Sequence, residues 1–189
     1  HGYVDDEEHI EELRPMNMYG YSKQMFDLWA RRQGLLSKIT GVKYTNVFGP
    51  NELHKAEMRS VVCRAYEQIR DTGKVGLFKS YRSEYADGEQ KRDFIYVKDA
   101  VKMVMFLLEN RCHGIYNIGS GRAETWNSLA AAVFKALDKP VNIEYIEMPE
   151  HLRGKYQYYT CADIAKIRNA GYTDIVTPLE DTVADYIRN

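Results

Sequence analysis

The chain has 189 residues, 44% hydrophobic and 28% charged, with 26 Lys and Arg against 27 Asp and Glu and a formal net charge of −1. Such a composition belongs to a soluble globular protein of one or two domains, and the near-neutral charge without a basic block argues against nucleic acid as a main ligand. No apolar run approaches the roughly 20 residues of a membrane span. Cys63, Cys112 and Cys161 lack disulfide-framework or metal-site spacing, so a reducing, cytoplasmic setting without membrane or metal is expected.

The chain starts at His1 and runs into an acidic stretch, Asp5, Asp6, Glu7, Glu8, Glu11 and Glu12, predicted to be a solvated loop or helix start. Met25, Phe26, Trp29 and Ala30 recur at helical spacing and predict a helix over 19–32 that stops at Gly34. A β-rich run over 40–47, closed by Phe48-Gly49-Pro50, predicts a strand. Met58, Val61, Val62, Ala65, Tyr66 and Ile69 form a 3.6-residue stripe ending at Gly73. Strands are predicted over 75–78, 93–97, 114–118 and 141–146, with a polar loop over 80–90. Val101, Val104, Met105 and Leu108 mark a further helix. Thr125 caps one carrying Leu129, Val133, Phe134 and Leu137. A short helix over 162–170 follows, and Thr177-Pro178-Leu179-Glu180 has the form of a capping box. This alternation of strand and helix predicts an α/β fold with a partly parallel sheet.

Tyr19 and Lys23 stand four residues apart in the first predicted helix, which puts them on one face with Cβ atoms roughly 6 Å apart. An ammonium beside a phenol favours the phenolate, which suits a base at a sugar hydroxyl near neutral pH. With 15 tyrosines in the chain, that spacing has no weight alone. In order along the chain come Tyr19-x-x-x-Lys23, Asn46-Val47-Phe48-Gly49-Pro50, Arg92-Asp93-Phe94-Ile95-Tyr96-Val97-x-Asp99 and Asn117-Ile118-Gly119-Ser120-Gly121. Together they resemble the extended short-chain dehydrogenase/reductase family acting on nucleotide sugars, over roughly residues 17–160. Within it the resemblance is closest to the epimerases of ADP-heptose, through His54-Lys55, Gly121-Arg122-Ala123-Glu124 and Gly154-Lys155-Tyr156-Gln157.

The resemblance implies the C-terminal part of a Rossmann-type doubly wound sheet, with residues 1–46 and 93–122 completing a dinucleotide-binding domain. Residues 47–92 and 123–189 would mainly form a smaller α/β substrate-binding domain. It implies an NADP-dependent isomerase that inverts C6 of the heptose through a transient ketone for lipopolysaccharide core synthesis, and a homo-oligomer as the full-length enzyme. Tyr19 and Lys55 are the implied acid–base pair, with Lys23, Val47 and Lys55 at the cofactor. Asn46, Arg64, Phe78, Lys79, Ser80, Tyr81, Arg92 and Tyr156 are implied at the substrate, Arg92 because a guanidinium suits a diphosphate.

Three departures accompany the resemblance. Lys55-Ala56-Glu57 stands where the family has Lys-Gly-Ser, Arg64 replaces a histidine, and the segment 81–90 is longer than usual. The family's Gly-rich cofactor turn and Ser/Thr strand end do not precede Tyr19, so a chain cut from a longer enzyme, inactive alone, is expected. Residue by residue, Lys55 also fits an exposed loop lysine, Tyr156 strand packing, Arg92 an ion pair with Asp93, and Gly119-x-Gly121 a simple turn. Two other functions fit the motifs: another nucleotide-sugar epimerase or 4,6-dehydratase of the family, and a non-catalytic nucleotide-sugar-binding fragment.

Overall fold

The computed structural model describes residues 5–15 and 17–189, and among these described residues three parallel strand pairs and one antiparallel pair organise the fold. The elements are α1 (Met18–Arg32), β1 (Thr40–Tyr44), β2 (Asn46–Phe48), α2 (Val61–Thr72), β3 (Val75–Phe78), β4 (Lys91–Arg92), β5 (Phe94–Tyr96), α3 (Val97–Glu109), β6 (Gly114–Ile118), β7 (Glu124–Thr125), α4 (Trp126–Ala136), β8 (Ile143–Ile146), α5 (Glu150–Arg153), α6 (Ala165–Asn169) and α7 (Leu179–Arg188). Strands β1 and β6, β2 and β5, and β3 and β8 run parallel, while β4 and β7 run antiparallel. The α/β class is as the alternation predicts. No helix of the described residues is long and apolar enough to cross a membrane.

The single strand predicted over 40–47 is two. At Thr45 the chain changes neighbours: the Thr45 amide still donates to the Ile118 carbonyl (3.0 Å), and the Asn46 amide donates to that of Asp93 (3.1 Å). Side chains alternate across the β2–β5 pair. Phe48, Phe94 and Tyr96 therefore enter one core with α2, α4 and α7. Ile95 enters a second core with α3, β6 and α6, against which Val47 packs.

Local chemistry sets the helix ends. Asn17, Ser60 and Thr125 each accept a backbone N–H of the first turn of α1, α2 and α4, which satisfies otherwise orphaned donors. Gly73, at φ 72°, closes α2 in the left-handed region.

The helices predicted at α1 and α3 form, with buried faces that spacing does not give, and several boundaries are corrected. Helix α3 buries Ala100, Met103 and Leu107, leaving Val101, Met105 and Leu108 exposed. It is apolar on several sides, so spacing alone does not choose the buried one. In α1, Gln24 and Ala30 are buried while Met25, Phe26 and Trp29 are about half exposed. The helix predicted over 162–170 starts at Ala165, because the Ala162 amide is committed to the Asp93 carboxylate. Helix α2 begins at Val61, with Met58 in the preceding 3-10 turn Leu53–Met58. No side chain caps α7, and the Thr177 amide donates instead to Asp99 (2.8 Å).

The acidic N-terminal stretch is also more than a solvated loop. Glu7 Oε1 accepts the Ile115 amide of β6 (2.7 Å) and Lys166 Nζ (2.5 Å), and that ammonium also donates to the carbonyls of Asp5 (2.7 Å) and Ile115 (2.9 Å). Burial pushes the Glu7 carboxyl up, but the Lys166 and Ile115 hydrogen bonds outweigh it and leave the group below its usual value. A depressed carboxyl stabilises the fold above its unfolded value, near pH 4.3, and loses that contribution as pH falls. Lys166→Met should therefore destabilise the chain by about 1–2 kcal/mol at neutral pH, with the difference from the parent narrowing towards pH 3, measured by urea denaturation across pH.

Candidate functional site

The Thr45–Asn46 crossing lies at the C-terminal ends of β1 and β6, where ligands of open α/β sheets gather. Asp93, fully buried, holds this point together. Its Oδ1 accepts from Ser120 N (2.7 Å), Ser120 Oγ (2.8 Å) and Thr45 Oγ1 (3.2 Å), and its Oδ2 from Ala162 N (3.0 Å) and Gly121 N (3.1 Å). The Gly119–Gly121 segment is thus a turn folded around a carboxylate. A Cβ at Gly119 would lie 2.8 Å from both Asp93 Oδ2 and the Ala162 Cβ, closer than real Cβ contacts allow.

Two adjoining depressions open beside this frame. One is lined by Asn46, Val47, Phe48, Arg59, Phe94 and Trp126, among others. The Asn46 side-chain amide donates to the Asp93 carbonyl (3.1 Å), which fixes its orientation. The second is lined by Asn17, Arg92, Leu152, Lys155, Tyr156 and Gln157. Asn17 caps the helix that carries Tyr19, so the start of α1 faces the Arg92 and Tyr156 cluster.

Arg92, only 8% exposed, lies between two aromatic rings: its guanidinium carbon is 5.1 Å from the Tyr156 ring centroid and 5.8 Å from that of Trp126. Trp126 Nε1 donates to Tyr156 Oη (2.9 Å) and packs edge-on against Phe94, while Phe78 packs edge-on against Tyr156. Burial pushes the Tyr156 phenol up, against the opposing pull of Arg92 and the indole N–H.

On α1, Tyr19 is 75% exposed and Lys23 Nζ stands 5.1 Å from its ring centroid. The structure keeps this pair on one open helix face. Lys55 belongs to the 3-10 turn after β2, where its Nζ lies 3.8 Å from Glu52 Oε2. Glu52 is 5% exposed and accepts from Ser60 N (2.8 Å), Ser60 Oγ (2.7 Å) and Gly49 N (3.3 Å). Neither depression counts Tyr19 or Lys55 among its lining residues. Ala56, next in the chain, has φ 47° and ψ −123°, a glycine conformation. The Ala for Gly departure is thus a strained one.

The remaining predicted residues are dispersed. Arg64 lies on the exposed side of α2. Lys79 pairs with Glu147 (2.8 Å), and the Tyr81 hydroxyl also donates to Glu147. Ser80 Oγ donates to the Arg82 carbonyl (3.0 Å), and the Ser80 amide to Asp87 (2.6 Å). Sequence patterns missed Trp126, Glu52 and Glu147. Only the Gly-Pro turn before Glu52 offered a signal for any of the three.

Comparison with known proteins gives one kinship. Residues 2–119 match the model of the NAD dependent epimerase/dehydratase family. A Nitratidesulfovibrio vulgaris protein named ADP-L-glycero-D-manno-heptose-6-epimerase is 54% identical, over 99% of this chain and 58% of that protein. A Fusobacterium nucleatum protein of the same name is 47% identical, over 100% of this chain and 60% of that one. The chain therefore spans less than two thirds of the length of these curated relatives. Among solved structures, the Helicobacter pylori ADP-L-glycero-D-manno-heptose-6-epimerase matches with a TM-score of 0.76 at 27% identity, covering 93% of this chain and 51% of that one.

Two stability measurements probe the frame. Asp93→Ala strands buried backbone donors and should cost roughly 3–5 kcal/mol in urea denaturation. Ala56→Gly relieves a positive φ and should raise stability by about 1 kcal/mol in the same assay; an unchanged midpoint would mean that the turn is not held in this conformation in solution.

Proposed function

Because the chain belongs to the NAD dependent epimerase/dehydratase family, we propose that it carries the substrate half and the acid–base residues of an NADP-dependent ADP-glycero-manno-heptose 6-epimerase serving lipopolysaccharide inner-core synthesis. The observation that carries this reading is the shared depression in which Asn17, at the start of the Tyr19 helix, meets Arg92 and Tyr156. The names and identity levels of the relatives favour the heptose over other sugars. Residues 1–46 and 93–122 are assigned to the cofactor domain, and 47–92 with 123–189 mainly to the substrate domain.

The residues present fit a nicotinamide dinucleotide: a phenol and an ammonium share the exposed face of α1, a set suited to ribose hydroxyls and to the reacting oxygen. Bound NADP supplies hydride removal from C6 and hydride return to its opposite face. Tyr19 and Lys55 then serve as acid and base at the C6 oxygen, one for each presentation of the carbonyl. Glu52 holds the Lys55 ammonium in place. Asn46 binds a sugar hydroxyl and Arg92 the diphosphate, with Tyr156 beside Arg92 at the substrate.

The assay is epimerisation of ADP-heptose by the polypeptide that carries this chain together with a dinucleotide site. Tyr19→Phe and Lys55→Met should each lower kcat by about 100-fold or more. Full turnover in the lysine variant would refute the two-base assignment.

A further inference from the structure

Trp126 lines the first depression and Tyr156 the second, and the bond from indole to phenol joins them. Its direction is forced, because an indole N–H only donates; Tyr156 Oη must accept here. The phenol proton is thereby turned away from Trp126. Around it stand the cations Arg92 and Lys155, which only donate, together with the side-chain amides of Asn17 and Gln157, and the Asn17 Oδ1 is already engaged by the Gly20 amide (2.8 Å). Trp126 itself is fixed: its amide donates to the Gln90 carbonyl (3.3 Å) and its ring lies 5.2 Å from Phe94.

We propose that Trp126 is a positioning residue that commits the Tyr156 hydroxyl to donate to an anionic diphosphate oxygen, completing a set of three donors with Arg92 and Lys155. This rests on reading the depression as the seat of a nucleotide sugar. Trp126 takes no part in the chemistry; it sets which way one hydroxyl faces.

The test is calorimetric titration of the chain with ADP, comparing the parent with Trp126→Phe, Tyr156→Phe and the double variant. Trp126→Phe keeps a ring beside Arg92 and Phe94 but removes the N–H, and should raise Kd about fivefold to tenfold. Tyr156→Phe should do the same. In the Tyr156→Phe background, Trp126→Phe should add less than about twofold, since its partner is gone. A parent-like Kd in Trp126→Phe overturns the proposal. Equal losses in both backgrounds overturn it too, by assigning the effect to ring packing. Tyr156→Phe tests the same bond from its other end should the tryptophan variant fail to fold, and an unchanged Kd there is equally fatal. A parent chain that binds ADP but gains nothing from the heptose defeats the functional reading and leaves this subsite standing; no binding of ADP at millimolar concentration defeats the subsite itself.

Discussion

A single buried carboxylate sets the geometry on which the rest depends. Asp93 would be costly to bury alone, and five donors from three separate segments surround it. Those donors come from the end of β1, the turn after β6 and the extended stretch before α6, segments far apart in sequence. The same residue's carbonyl takes both the Asn46 amide and its side chain. Arg92 and Phe94, its neighbours, point to the opposite face, towards Trp126. One residue thus registers the polar floor of the site against its aromatic wall.

Much of the architecture was legible because period and punctuation carry it. Gly73, Gly34 and the capping residue Thr125 stand where helices begin or end. What periodicity could not convey was partnership. Met25, Phe26 and Trp29 mark α1 as a helix, yet spacing is silent on what covers them. The break at Thr45 was hidden because Val, Tyr and Thr recur through 40–47 while the hydrogen-bond partner changes. Glu7 looked solvated because its cation, Lys166, is remote in sequence.

The site divides in the same way. Tyr19, Lys23, Asn46 and Arg92 belong to short local patterns, and Tyr156 to the four-residue run Gly154–Gln157. Their supports do not. Trp126 reaches Tyr156 across 30 residues, and Glu147 gathers Lys79, Tyr81 and Arg153 from both sides of the loop. Such second contacts are made between helices, strands and loops and have no spacing of their own to detect. The strained Ala56 is an intermediate case: the departure from glycine was visible in sequence, but its backbone cost appears only with the φ angle.

The placing of β2 and β5 between the two cores has a consequence for strand register. Both strands are three residues long, too short to hold alignment by ladder hydrogen bonds alone. A slip of β5 by one residue would turn Phe94 and Tyr96 out of one core and Ile95 out of the other in the same step, and a slip of β2 would do the same to Phe48 and Val47. Each core therefore proofreads the alignment for its neighbour, and Asn46, the residue that enters the site, inherits an address enforced from both sides.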